Sequence, residues 1–225
     1  MIKDNVKRIL ETIEKESDKA GFGPVALVAV SKNRSIEEIA EAYDSGISLF
    51  GENRVQELVS KHESFEGKAT WHMIGTLQSN KINAVLGKAG MVQSVDSVRL
   101  AQAISKRASA LGSPQECLLQ INTAMEGQKH GFEPESIWQA MEDISLLDGL
   151  RVKGLMMIAP DTNDGGYLGS LFARTRSLFE KAREQSSEYA NMDMQILSMG
   201  MTNDFESAIR NGSTMVRIGR AIFEA

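Results

Sequence analysis

The chain has 225 residues, long enough for one large core, and barrels of roughly 200–250 residues commonly form one domain, so a single domain spanning 1–225 is expected. With 42% hydrophobic and 24% charged residues and a formal net charge of −5, the composition is ordinary for a globular protein; it argues against a basic nucleic-acid surface and for a small-molecule partner. One cysteine, Cys117, excludes an intrachain disulfide, and a charged N-terminus with no run of some 18 apolar residues supplies neither a secretory leader nor a membrane span, so the chain reads as cytoplasmic and unanchored.

Residues 2–19 place Ile2, Val6, Ile9, Leu10 and Ile13 at helical spacing, which predicts an N-terminal helix. After the break at Gly21-Phe22-Gly23-Pro24, the apolar run 25–30 has the β-branched content of a buried parallel strand. Further strands are predicted at 48–51, 70–75, 91–95, 117–122, 150–158, 195–199 and 214–218. Helices between them include 36–43, 98–110, 135–147 and 168–188. Eight strands alternating with helices favour a single (β/α)8 TIM-type barrel over a doubly wound open sheet. Only 220–225 follows the eighth strand, too little for a full covering helix, so the N-terminal helix is predicted to cover that part of the wall. Residues 159–166, after strand six, form a candidate lid.

Active sites of such barrels lie at the C-terminal strand ends, where this chain places Ser31 and Lys32, Glu52 and Asn53, His72, Asn122, Ser198 and Arg217. Alternation puts Ala26, Val28, Val30 and Lys32 on one face. If that face is interior, burial lowers the pKa of the amine and makes it nucleophilic enough for a Schiff base; the plain alternative is a strand-end lysine reaching solvent. Ser198-Met199-Gly200-Met201-Thr202-Asn203-Asp204 and Val216-Arg217-Ile218-Gly219-Arg220 follow strands seven and eight, the usual phosphate cradle of this architecture. Gly200 and Gly219 allow close backbone approach, Ser198 and Thr202 can donate hydroxyl hydrogen bonds, and Arg220 can pair with a dianion. Arg217 shares a face with Met215 and Gly219 and needs a partner in the interior, for which Glu52 is the structural alternative.

His72, between Trp71 and Met73, fits a hydrogen-bonded core histidine, and Cys117 a small buried hydrophobe. The three histidines and Cys117 lack metal-ligand spacing, and no Walker A, Gly-x-Gly-x-x-Gly or Gly-x-Ser-x-Gly sequence occurs.

Several segments carry a resemblance: Ala29-Val30-Ser31-Lys32, Phe50-Gly51-Glu52-Asn53, Trp71-His72-Met73-Ile74-Gly75 with Gln78-Ser79-Asn80-Lys81, Gly154-Leu155-Met156, Leu197-Ser198-Met199-Gly200-Met201 and Met215-Val216-Arg217-Ile218-Gly219. Together the chain resembles the pyridoxal phosphate homeostasis protein family from strand one to its last residues. The resemblance implies a barrel like the N-terminal domain of alanine racemases, with pyridoxal 5'-phosphate (PLP) held as a Schiff base on Lys32. It further implies that Asn53 lies near the ring hydroxyl, Ser198 and Gly219 hold the phosphate with the Met199-Gly200 turn, and Arg217 faces the pyridine nitrogen. Arg220 departs from the small hydroxyl residue expected there.

An arginine at the pyridine nitrogen disfavours its protonation and weakens the cofactor as an electron sink. The related racemases also use a tyrosine as second acid/base, and here Tyr43, Tyr167 and Tyr189 end no strand; only Tyr167 lies beside the candidate lid. The implied role is a PLP carrier or buffer serving PLP-dependent apoenzymes, monomeric because a second domain is lacking. A weak PLP-dependent amino-acid racemase and a Schiff-base aldolase acting on a sugar phosphate are the alternatives.

Overall fold

Short β-branched and apolar runs flanked by glycine, proline and polar residues become strands, and the amphipathic stretches between them become their cover. The computed structural model describes residues 1–65, 67–124 and 130–224. Strands β1 (Ala26–Val30), β2 (Leu49–Glu52), β3 (Thr70–Met73), β4 (Met91–Val95), β5 (Gln115–Ile121), β6 (Leu150–Met157), β7 (Met192–Ser198) and β8 (Met215–Ile218) pair in chain order, all parallel. β8 closes onto β1, with Ala26 opposite Met215 and Ala29 opposite Ile218, so the sheet is the expected barrel and not an open one.

Helices α1 (Ile2–Ala20), α2 (Ile36–Asp44), α3 (Val55–Ser64), α4 (Ile82–Val85), α5 (Val98–Leu111), α6 (Ile137–Ser145), α7 (Gly165–Ser186), α8 (Phe205–Arg210) and α9 (Arg220–Phe223) surround it. The strand limits differ from the apolar runs where pairing decides. β3 stops at Met73, two residues short of Gly75, and β5 starts at Gln115, whose Cα partner is Leu150. β7 starts at Met192, three residues before the predicted limit.

The predicted cover of the last strand is present. α1 packs on α8, α9 and α2, burying Ile2, Val6, Ile9 and Ile13, while Asn5 Nδ2 donates to Ile222 O at 3.1 Å and Arg210 Nε to Glu16 Oε2 at 2.5 Å. Leu10, counted on the same apolar stripe, is exposed. α9 is a single helical turn, which is why α1 is needed at that part of the wall.

Most of the core lies between sheet and helices, where Ala29, Phe50, Leu119, Leu197 and Ile218 point outward. The barrel interior holds a separate small cluster, Met91, Leu118 and Met156 with Ile196 packed against it. Toward the strand ends the interior turns polar, with Gln93, Ser198 and Arg217 all buried. No helix among the described residues is long and apolar enough to cross a membrane.

Candidate functional site

Lys32 lies two residues past the end of β1 and lines a two-lobed cleft at the strand ends. One lobe, of about 570 Å³, is walled by Asn53, Thr76, Gln120, Asn122 and His130. The other, of about 480 Å³, is walled by Pro160, Asp161, Thr202, Asn203, Gly219 and Arg220. Val30, Lys32, Met201 and Arg217 belong to both. Of the two readings of this amine, the strand-end lysine reaching solvent holds: Lys32 is exposed at the mouth of the barrel, because β1 ends at Val30 and the chain turns there.

The neighbouring polar residues Ser31 and Glu52 point the other way, into the layer between sheet and helices. Both are fully buried, and Ser31 Oγ donates to Glu52 Oε1 at 2.6 Å. Glu52 also accepts from Lys61 Nζ at 2.7 Å, so it is not the partner of Arg217. Its pKa is raised by burial, against the pull of Lys61 and Ser31.

Asn53, the next residue, does face the cleft. Its backbone is packed against Gly75, where a Cβ would come within 2.3 Å of Asn53 O; only glycine allows that approach.

Arg217 forms the floor between the lobes. Its Nη1 donates to Ser198 O at 2.9 Å and Ser198 Oγ at 2.8 Å, and its Nη2 to Met157 O at 2.8 Å. Burial lowers its pKa to about 10, offset in part by the charge of Asp204. A guanidinium with that pKa remains protonated at neutral pH.

The Ser198 hydroxyl donates in turn to Gln93 Oε1 at 2.8 Å, and Gln93 Nε2 lies 2.8 Å from His72 Nδ1. An amide nitrogen only donates, so Nδ1 accepts and the ring proton sits on Nε2. His72 is thus the predicted core histidine, its pKa lowered by burial to about 4. This chain of bonds corrects the role drawn for Ser198: its side chain lies inside the barrel, lines neither lobe, and holds Arg217 instead of a phosphate.

Met199 also points away from the cleft, into the outer core. Gly200 has φ +96, and a Cβ there would fall 2.6 Å from Ala208 Cβ, so the turn out of β7 requires glycine. That turn brings Met201, Thr202 and Asn203 to the second lobe, and Met201 N donates to Asp204 Oδ1 at 2.5 Å. Gly219 and Arg220 complete this lobe from the other side, at the start of α9.

The segment read as a lid contributes Pro160, Asp161 and Thr162 to the wall of the second lobe. None of Tyr43, Tyr167 and Tyr189 lines either lobe. Among the described residues no group of three or more His, Cys, Asp or Glu side chains could hold a metal ion. Cys117 is buried, its thiol pushed up to about 12 by burial and by Glu116.

Sequence reasoning missed Gln93, Gln120, Arg54, Thr76 and His130. Gln93 carried one signal, a polar amide in the middle of a short strand bounded by Met91, Val92 and Val95. His130, whose Nδ1 lies 3.2 Å from Asp96 Oδ2, had none.

Residues 2–225 match the family described as alanine racemase, N-terminal domain. A protein of Aquifex aeolicus named pyridoxal phosphate homeostasis protein is 37% identical over 223 residues, covering 98% of this chain and 96% of the relative. One of Helicobacter pylori strain 26695 with the same name is 42% identical over 203 residues, covering 89% and 87%.

The chain belongs to the pyridoxal phosphate homeostasis protein family.

Solved structures agree in shape. PipY of Synechococcus elongatus, solved with PLP bound, superposes with a TM-score of 0.87 at 30% identity, covering 99% of this chain and all of its own (100%). The alanine racemase of Clostridium difficile 630 shares only the fold, with a TM-score of 0.72 at 16% identity, and this chain matches 55% of its length.

Proposed function

We propose that this homeostasis-family chain binds PLP reversibly at Lys32, buffers its free level and passes it to PLP-dependent apoenzymes, acting as a carrier and not as a catalyst. PLP supplies an aldehyde to which a primary amine adds with loss of water, and a phosphate dianion that anchors it. The observation that carries the reading is the position of Lys32, which lines both lobes together with Arg217.

The donor set suits such a ligand. Lys32, Arg217 and Arg220 bring three cationic side chains to the second lobe. Thr202 adds a hydroxyl, and the chain enters α9 at Gly219 and Arg220, where the Ile222 and Phe223 N–H groups already donate to Gly219 O. Gly219 and Arg220 are assigned to the phosphate, and the Ser198-Met199-Gly200 turn presents the loop that faces it. Asn53 supplies an amide beside Lys32 for a ring hydroxyl.

Arg217 would donate to the ring nitrogen and keep it unprotonated, because the guanidinium holds its own proton near neutral pH. An unprotonated ring nitrogen withdraws electrons weakly, which discourages carbanion chemistry. Retention without turnover is what a carrier needs.

The test is transfer. Loaded protein mixed with a PLP-dependent apoenzyme is expected to restore its activity, and protein carrying Lys32→Ala to restore far less. Failure to load any apoenzyme tried would overturn the delivery role.

A further inference from the structure

The backbone on both sides of Lys32 is tied to one buried ion cluster on the outer face of the sheet. Lys61, on α3, is 6% exposed. Its ammonium donates to Ser31 O at 2.7 Å, Glu52 Oε1 at 2.7 Å and Glu57 Oε2 at 2.9 Å, which engages all three of its donors. Ser31 Oγ donates to the same Glu52 oxygen. On the other side of Lys32, the Asn33 N–H donates to Glu57 Oε2 at 2.7 Å.

Asn33 has φ +59, and among the described residues no other non-glycine residue has a positive φ. A left-handed asparagine is mildly strained and persists where its surroundings over-determine it. Here the determinant is visible: Glu57 holds the Asn33 N–H while Lys61 holds both Glu57 and the Ser31 carbonyl. Residues 31 and 33 are anchored to α3, and Lys32 between them is left to project over the cleft.

We propose that Lys61, Glu52 and Glu57 form a positioning cluster that sets the backbone of Lys32, so that covalent capture at Lys32 depends on the cluster while phosphate binding does not. The inference rests on the proposed binding of PLP at Lys32. The separation follows from connectivity, since the cluster's bonds run to β1, the loop after it, β2 and α3, whereas Thr202, Gly219 and Arg220, the groups offered to the phosphate, stand on the turns after β7 and β8.

The experiment uses the full chain with Glu57→Ala and Glu57→Gln. Three quantities are read: the equilibrium constant for the borohydride-trappable adduct with pyridoxal 5'-phosphate, the affinity for pyridoxine 5'-phosphate, which lacks the aldehyde, and hydrogen exchange at the Asn33 amide without ligand. Glu57→Ala is expected to lower capture roughly tenfold, the scale of one lost charge-assisted hydrogen bond, to leave pyridoxine 5'-phosphate affinity within about twofold, and to speed exchange at Asn33. Glu57→Gln keeps an acceptor for Asn33 and should restore most of the capture. Ser31→Ala, which keeps the ion pair, should show the same split more weakly and serves if Glu57→Ala does not fold. Equal loss of capture and of pyridoxine 5'-phosphate binding, or no change in either, would overturn the proposal. Absence of any adduct in the unsubstituted chain would instead overturn PLP binding at Lys32 itself.

Discussion

Two polar groups sit back to back across the barrel sheet, and they are built on opposite electrostatic plans. Inside, Arg217, Ser198, Gln93 and His72 form a chain of hydrogen bonds in which only Arg217 is charged, and it makes no ion pair among the described residues. Outside, the Lys61 ammonium is matched by two carboxylates within 2.9 Å. The inner group leaves its positive charge available to the cleft, whereas the outer group consumes its charge in holding a loop. Strand alternation makes both from adjacent residues: Gly51 faces in toward Val28 and Glu52 faces out, and Arg217 faces in while Ile218 faces out.

The largest effect is expected on the outer side. Lys61→Met leaves Glu52, fully buried, without its counter-charge and is expected to cost about 3–5 kcal/mol in urea unfolding. Adding Glu52→Leu removes the stranded carboxylate and should recover much of that loss. A single variant as stable as the parent would show that the outer cluster is not held by charge pairing.

The inner side should respond to acid. The His72 pKa is lowered by burial from 6.5 to about 4, so between those values the unfolded chain binds a proton that the folded chain does not. The contribution of neutral His72 is complete above pH 6.5 and is lost as the pH falls toward 4, by up to about 3 kcal/mol. His72→Gln should flatten that part of the stability profile; an unchanged slope would assign it to other groups. The smallest effect is expected from Gln93→Leu, which deprives the Ser198 hydroxyl and His72 Nδ1 of their partner without stranding a charge, at about 1–3 kcal/mol in urea unfolding. A cost equal to that of Lys61→Met would erase the distinction between the two sides.

The barrel was legible because its signal is local: apolar, β-branched runs such as 25–30 mark strands regardless of what they pair with. Lys32 and Asn53 were legible for the same reason, as polar residues ending such runs. The contacts that organise the site are not local. Ser198 and Gln93 meet across 105 positions of chain, and nothing near Ser198 distinguishes a hydroxyl facing inward from one facing a phosphate. The Lys61–Glu52 pair joins a helix to a strand end, and Lys61 reads in sequence as one more charged residue on an amphipathic helix. His130 is brought to the cleft by bonds to β5 and the residue after it: Gln120 Nε2 donates to its carbonyl at 2.9 Å, and Phe132 pairs with Gln120 and Asn122.

The central claim is that Lys32, among all the lysines, captures PLP. Peptide mapping by mass spectrometry after incubation with PLP and borohydride reduction tests it most directly. One pyridoxyl group per chain is expected, located on Lys32 and absent from Lys32→Ala protein; adducts spread over other lysines, or retained undiminished in Lys32→Ala, would contradict capture at Lys32.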